Sequence, residues 1–123
     1  MMINLTLPYP PTVNHYWGTA GKRRYIKPQG IKFRNDVIGI VLQNKANKKL
    51  AERVMIDIKA YMPDRRKRDL DNINKAIFDA LIHSGVIVDD EQIDVLHSER
   101  KEVFKGGKIE LTISALGGIN ERN

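Results

Sequence analysis

Hydrophobic and polar residues alternate along three stretches of the chain, and this pattern predicts three β-strands. The alternating stretches are residues 3–7, 54–61 and 109–113. Because successive side chains of a strand point to opposite faces, each stretch has one face suited to a core and one suited to water. Residues 92–104 form a fourth candidate strand of mixed polarity.

Two further stretches repeat their apolar residues with the 3.6-residue period of a helix. The first runs from about Ile31 to Lys45, and the second starts near Asp71 and stops at Gly85. The residues between the first strand and the first helix, about 12–30, are expected to form a loop. The resulting order β-α-β-α-β-β predicts the α+β class, with one mixed sheet and two helices.

Length and composition narrow the class of protein. A chain of 123 residues with 41% hydrophobic content is sufficient for one cored domain, so residues 1–123 are expected to form a single domain with a flexible tail over 117–123. The absence of cysteine excludes disulfides, thiolate metal sites and cysteine nucleophiles, and it agrees with a cytoplasmic location. No apolar run approaches the roughly 20 residues of a membrane span, so no membrane association is expected.

Positive charge is concentrated near the N-terminus. Residues 1–35 contain six lysines and arginines and no acidic residue, which accounts for the whole net charge of +6. Aromatic residues and glycines are interleaved with these cations, a composition suited to a loop that binds phosphates and stacks on bases. The alternative is a solvated basic loop. The candidate DNA contacts in this loop are Lys22, Arg23, Arg24 and Lys27.

Residues 64–75, DRRKRDLDNINK, combine cations with carboxylates. The four consecutive cations suit a polyanion, whereas Asp69 and Asp71 suit a hard divalent cation. A metal held between carboxylate and phosphate permits phosphodiester hydrolysis, so the segment is typical of a nuclease. The alternative is structural: Asp71 would cap the second helix, and Lys75 would pair with it one turn later. The cations of this segment are Arg65, Arg66, Lys67 and Arg68.

A second acidic group lies in the segment Asp89-Asp90-Glu91, which follows the second predicted helix. Its carboxylates would complete an oxygen-rich metal site, or they would simply form a polar turn. The spacing does not distinguish Asp89 from Asp90 as the third ligand.

Three segments of the sequence together resemble the RusA family of Holliday junction resolvases, which is found in bacteria and their phages and prophages. They are PPTVNHYW, MPDRRKRDLDNINKAIFDAL and VDDEQI. The resemblance implies a homodimeric, Mg²⁺-dependent endodeoxyribonuclease that binds four-way junction DNA and makes paired nicks, with one or two Mg²⁺ per subunit. It implies that Asp69, Asp71 and Asp90 are catalytic metal ligands and that Lys75 assists them. Asn14 and Arg68 match further family motifs and are assigned to DNA binding.

Two other functions stay open on the sequence alone. One is a non-catalytic module that binds branched or single-stranded DNA. The other is a phage nuclease that acts on forks, flaps or packaged DNA.

Overall fold

Two helices pack on one face of a four-stranded sheet, and a small hairpin lies beside them. The structure, a computed structural model, describes residues 1–116. Its strands are β1 Met2–Pro8, β2 Trp17–Ala20, β3 Arg23–Ile26, β4 Val54–Tyr61, β5 Ile93–Arg100 and β6 Lys108–Ala115. Its helices are α1 Val13–Tyr16, α2 Pro28–Gln43 and α3 Asn74–His83, with 3-10 turns at Leu70–Ile73 and Asp90–Gln92.

The main sheet is mixed, with strand order β1-β6-β4-β5. Strand β6 pairs antiparallel with both β1 and β4. Strands β4 and β5 run parallel, with Val54 opposite Ile93 and Ala60 opposite Arg100. A parallel pair needs a long crossover, which α3 supplies between these two strands. The described residues thus form one α+β domain with a mixed sheet, as the sequence predicted.

The core lies between the sheet and the two long helices. The predicted alternation is visible in β4, where Val54, Ile56, Ile58 and Ala60 are buried and their neighbours are half-buried or exposed. On α2, the buried side chains Phe33, Val37 and Val41 recur with helical period against this face. The remaining strands add Ile3, Leu5, Leu7, Ile109, Leu111 and Ile113.

Both long helices begin at different residues from those predicted. Helix α2 begins at Pro28 rather than near Ile31, because proline is well suited to the first turn of a helix. Helix α3 begins at Asn74, and the residues around Asp71 form a 3-10 turn instead. Such turns are common at helix N-termini. The predicted stop at Gly85 is confirmed, since this glycine has a φ of +83°.

The prediction of a loop over residues 12–30 was wrong. This segment contains α1 and the hairpin of β2 and β3, whose turn includes Gly21 with a φ of +63°. Glycine adopts this left-handed conformation without steric cost, so it permits the tight reversal. The full element order therefore includes two strands and a helical turn that the predicted β-α-β-α-β-β order lacked.

Two further expectations concern membrane association and the C-terminal tail. No helix in the described part of the chain is long and apolar enough to cross a membrane. The flexible tail predicted over 117–123 lies outside the described residues.

Candidate active site

Asp69 and Asp71 lie on the 3-10 turn that follows the basic loop after β4. Both are exposed. Asp69 is the N-cap residue of this turn, but its side chain makes no capping hydrogen bond, and the N-cap of α3 is Ile73. Within residues 1–116 neither carboxylate accepts a hydrogen bond or lies within 4.0 Å of a cation. Asp71 therefore does not cap α3, and both carboxylates are available to an external ligand.

Lys75 lies on the first turn of α3, where it contacts an aromatic ring. The ion pair with Asp71 that was the structural alternative is not formed within residues 1–116, because Asp71 belongs to a 3-10 turn rather than to the helix itself. The Lys75 ammonium instead lies 5.6 Å from the centroid of the Trp17 ring, and the Arg24 guanidinium lies 4.7 Å from the same centroid. These separations are within the range of cation–π attraction. Trp17 thus connects the basic hairpin to the candidate catalytic lysine.

A partly buried polar network lies beside Trp17. The Tyr16 ring lies 4.0 Å from the Trp17 ring, and the fully buried Tyr16 donates its hydroxyl hydrogen to Asp79 on α3. Arg34 on α2 donates two hydrogen bonds to the same carboxylate, at 2.8 and 3.0 Å. The network therefore joins α1, α2 and α3 directly beneath the hairpin.

Burial and the charges of this network shift the pKa values of its ionisable groups. Burial opposes ionisation of Asp79, but the hydrogen bonds from Arg34 and Tyr16 outweigh it and lower the pKa of this carboxyl group. Burial and the neighbouring Asp79 carboxylate raise the pKa of Tyr16. Asp79 is thus an ionised structural residue. Sequence analysis missed the network because its three residues are 18 and 45 positions apart in the chain.

The three acidic residues before β5 differ in their contacts. Asp89 is the N-cap residue of the second 3-10 turn, and its backbone N–H donates to Gln92 Oε1 at 2.9 Å. Glu91 is paired with Arg53 at 3.1 Å. Asp90 is exposed and, within the described residues, accepts no hydrogen bond and makes no ion pair. The carboxylate of Asp90 is therefore available to a ligand.

Asp90 does not lie beside Asp69 in the same chain. Arg100, at the end of β5, donates from Nη2 to the carbonyl oxygen of Arg68 at 2.7 Å, which places Asp69 at that end of the sheet. At the opposite end, before Ile93, the Glu91 carbonyl oxygen accepts a hydrogen bond from Arg53 at 2.7 Å. A strand rises about 3.3 Å per residue, so the ends of β5 are about 23 Å apart. Accordingly, no group of three His, Asp or Glu side chains in residues 1–116 is arranged to hold a metal.

The basic loop that precedes Asp69 contains three exposed cations and the less exposed Arg68, and Arg66 Nε lies 3.7 Å from Asp64 Oδ2. Arg65, Arg66 and Lys67 are exposed. Arg68 donates from Nη2 to Asp64 Oδ2 at 3.2 Å, and this guanidinium lowers the pKa of the Asp64 carboxyl group to about 2. Arg68 therefore orders the loop, whereas the other three present positive charge to solvent beside the aspartates.

The residues of the N-terminal segment that were predicted to contact DNA also differ in their exposure and hydrogen bonding. Lys22, Arg23 and Arg24 are exposed at the tip and along one strand of the hairpin. Lys27 is half-buried, and its ammonium donates to the carbonyl oxygen of Asn14 at 2.9 Å. The hairpin tip is thus free to meet a polyanion, while Lys27 and Asn14 fix the base of the hairpin.

A cavity of about 420 Å³ opens beside Asp69. One wall is formed by the segment Tyr9–Thr12 and the other by Asn72 and Ile73. Lys67 and Arg68 also line the cavity, so it combines apolar surface with a carboxylate, an amide and two cations.

Unpaired carboxylates beside exposed cations, on one α+β domain, suit a site at which a metal ion and a phosphate group meet. The sequence profile of the family "Endodeoxyribonuclease RusA" matches residues 8–114, so the chain belongs to this family and is a nuclease that hydrolyses phosphodiester bonds.

Individual relatives give the same class. The chain is 42% identical over 113 residues to a crossover junction endodeoxyribonuclease of Enterobacteria phage HK97, covering 92% of this chain and 94% of the relative. It is 41% identical over 114 residues to the protein of the same name from Enterobacteria phage 82, covering 93% and 95%. It is 40% identical over 114 residues to that of Escherichia coli strain K12, again covering 93% and 95%. The family suggested by the sequence motifs is therefore confirmed.

Proposed function

We propose that this nuclease is a homodimeric, Mg²⁺-dependent resolvase that cleaves four-way DNA junctions by paired symmetric nicks during recombination and repair. The observation that carries the proposal is the state of Asp69 and Asp71, which make no hydrogen bond or ion pair in the described residues although four cations lie directly before them. The names of the relatives support the junction as substrate. The site of action would be the bacterial cytoplasm, with the protein encoded by a host or a prophage.

The residues assigned to the metal have suitable donor chemistry. Asp69, Asp71 and Asp90 provide hard carboxylate oxygens, which Mg²⁺ prefers, and within the described residues all three are unpaired. One or two Mg²⁺ ions, when bound, would lower the pKa of a water molecule and neutralise charge on the phosphate. Asp69 and Asp71 fit such a site as a pair. Asp90 of the same chain does not reach them.

The cations have separate roles in this proposal. Lys75 carries an ammonium without a carboxylate partner in residues 1–116, so it can stabilise the negative charge that develops on the phosphate. The hairpin residues Lys22, Arg23 and Arg24, together with the loop residues Arg65, Arg66 and Lys67, would bind the DNA backbone. Arg68, Lys27 and Asn14 would act by holding these two segments in position.

A synthetic four-way junction tests the proposal. Wild-type protein should cleave it with Mg²⁺ and should only bind it in EDTA. Asp69→Asn and Asp71→Asn should each reduce cleavage by at least two orders of magnitude while junction affinity is kept or increased, because a negative charge beside phosphate is lost. Asp36→Asn, which removes an exposed carboxylate paired with Lys32 on α2, is the control and should cleave normally. Cleavage by either active-site variant at the wild-type rate would refute the assignment.

The same assay decides between junctions and other branched substrates. Replication forks and flaps labelled in the same way should be cut more slowly than the four-way junction. Faster cutting of forks or flaps would replace the proposed substrate while leaving the metal-site assignment intact.

A further inference from the structure

The hairpin of β2 and β3 has one face against the domain and one face toward solvent. Opposite residues of an antiparallel pair share a face, and the register pairs Trp17 with Ile26. This face is the inner one, because Trp17 contacts Tyr16 and Ile26 packs against the core. The next pair, Gly18 with Tyr25, lies on the opposite face. Tyr25 therefore points away from the body of the domain.

Tyr25 is the exposed aromatic ring of this hairpin. It is 48% exposed, whereas Trp17 is half-buried. The Trp17 ring already contacts Tyr16, Arg24 and Lys75, so little of its surface is left for a ligand. Within residues 1–116 the Tyr25 ring makes no aromatic pair and no cation–π contact. Of the two rings, Tyr25 is thus the one that can bind an external partner.

Gly18 supports the Tyr25 ring from below. A Cβ at residue 18 would lie 2.6 Å from Tyr25 Cζ and 2.7 Å from the Tyr25 hydroxyl oxygen, so the ring lies across this glycine. A larger residue at position 18 would displace the ring. The ring therefore rests on the backbone of β2 and is open to solvent on the rest of its surface. A ring that is already positioned loses little conformational entropy when it binds.

The outer face of the hairpin also carries positive charge. Arg23 precedes Tyr25 by two residues on β3, so both side chains point to the same side. Arg23 is exposed and makes no ion pair in the part of the chain that the structure describes. Its partner across the hairpin is the small residue Ala20, which leaves the face open. An aromatic ring beside a cation suits a nucleotide, because the ring stacks on the base and the cation pairs with phosphate.

We propose that Tyr25 stacks on a nucleobase at the branch point of junction DNA and that Arg23 binds a phosphate of the same strand. The inference rests on the proposed function, since it takes a four-way junction as the substrate. Within a continuous duplex each base is stacked on both sides, whereas this stacking is interrupted at a branch point. A base there can meet a protein ring at a lower cost. Tyr25 thus favours junctions over duplex DNA, while the cations of the hairpin bind both.

Binding in EDTA compares a synthetic junction with a linear duplex of the same arm sequences. Tyr25→Leu keeps an apolar side chain over Gly18 but removes the aromatic face, so it should weaken junction binding by about 5- to 100-fold and leave duplex binding unchanged. Tyr25→Phe retains the ring and should keep the junction affinity of the wild type. Arg23→Ala should weaken binding to both DNAs alike. Equal losses for junction and duplex in Tyr25→Leu would overturn the proposal.

A second tyrosine provides the matched control. Tyr61 follows the buried residue Ala60 on β4, so its side chain lies on the sheet face away from the helices. Tyr61→Leu should bind the junction as tightly as the wild type. The fluorescence of Trp17 checks the fold, since an unchanged spectrum in Tyr25→Leu shows that the hairpin stays beside α3.

Abasic DNA tests the contact with unaltered protein. An abasic residue at the branch point removes the base and keeps its phosphate, so the wild type should lose a similar factor of affinity at one of the branch-point positions. Against that junction, wild type and Tyr25→Leu should bind equally, because two changes that remove the same contact are not additive. Additive losses, or no loss at any branch-point position, would overturn the proposal.

Single-stranded DNA separates this inference from the proposed function. If the wild type binds duplex as tightly as junctions, the junction assignment is wrong, yet Tyr25→Leu should still weaken binding to an oligothymidylate, whose bases are free to stack. An unchanged oligothymidylate affinity would then overturn the stacking role as well. If the wild type prefers junctions and Tyr25→Leu keeps that preference in full, this inference alone is overturned.

Discussion

The Lys75 ammonium lies 5.6 Å from the centroid of the Trp17 ring, so the lysine assigned to catalysis contacts the hairpin assigned to DNA binding. Trp17 is the only tryptophan in the chain. Loss of this contact should therefore alter the cleavage rate, and tryptophan fluorescence should report on the contact.

Replacing Trp17 should affect the chemical step more than binding. An exposed cation–π contact contributes about 0.5–1 kcal/mol, so Trp17→Leu should reduce the cleavage rate by about two- to fivefold at saturating junction. Trp17→Phe retains an aromatic face and should recover most of that rate. Single-turnover kinetics measure the effect, and equal rates for both variants would show that the ring does not position Lys75. Independently, Lys75→Met should change the fluorescence emission of Trp17.

The Asp79 network should stabilise the fold more than any surface ion pair. Asp79→Asn leaves Arg34 without its partner and should lower the free energy of unfolding by about 2–3 kcal/mol at pH 7. Tyr16→Phe removes one hydrogen bond and should cost about 1 kcal/mol. Urea unfolding measures both, with Lys32→Met as the control because its ion pair is 78% exposed at the lysine. Equal losses in all three variants would refute the network's role.

The same carboxylate predicts a pH dependence. The pKa of Asp79 is lowered in the folded protein, so its contribution to stability is complete above the ordinary aspartate value of about 4 and is lost as the pH falls through the lowered value. The stability difference between wild type and Asp79→Asn should therefore be largest near neutral pH and should shrink in acid. A difference that grows toward low pH would contradict this sign.

Replacing glycine by alanine should have opposite effects on stability at two positions of α2. A Cβ at Gly30 would lie 2.6 Å from the Tyr16 carbonyl oxygen, so Gly30→Ala should destabilise the protein by about 1–3 kcal/mol. A Cβ at Gly39 meets no atom within 4 Å, so Gly39→Ala should stabilise the helix by about 0.4–1 kcal/mol. Thermal unfolding of the two variants compares them directly. Equal shifts would mean that α1 does not pack closely on α2.

The hairpin tip should control the salt dependence of binding. Lys22→Ala with Arg23→Ala removes two exposed cations and leaves Arg24, which also contacts Trp17, in place. The slope of log affinity against log salt should fall in magnitude by about 2. Junction binding in EDTA at several salt concentrations measures the slope. Lys48→Ala with Lys105→Ala provides a control of equal charge, and the same loss in both doubles would remove the hairpin from the DNA interface.

Local patterns predicted the parts of this fold that depend on local chemistry. The alternation along β4 predicted its bounds and its buried face, and the period of Ile73, Ala76, Ile77 and Ala80 predicted α3. The β2 and β3 hairpin was missed because its strands have only four residues each and are mostly exposed, so they show no alternation of buried and exposed positions.

The candidate site shows the same division between local and long-range information. The motif containing Asp69 and Asp71 is contiguous, so the sequence reveals it directly. The position of Asp90 depends on the parallel pairing of β4 with β5, which places the acidic segment at the opposite end of the sheet. Pairing between distant strands is not visible in the sequence around either segment.

The central claim is a dimeric nuclease that cuts a junction twice, and a supercoiled plasmid with an extruded cruciform tests it most directly. Two coordinated nicks across the junction convert the plasmid to the linear form, whereas one nick yields the open circle. With Mg²⁺, wild-type protein should produce linear plasmid, and heterodimers of wild type with Asp69→Asn should produce mainly open circles because one site is lost. Linear product from the heterodimers at the wild-type rate, or only open circles from wild-type protein, would contradict the account.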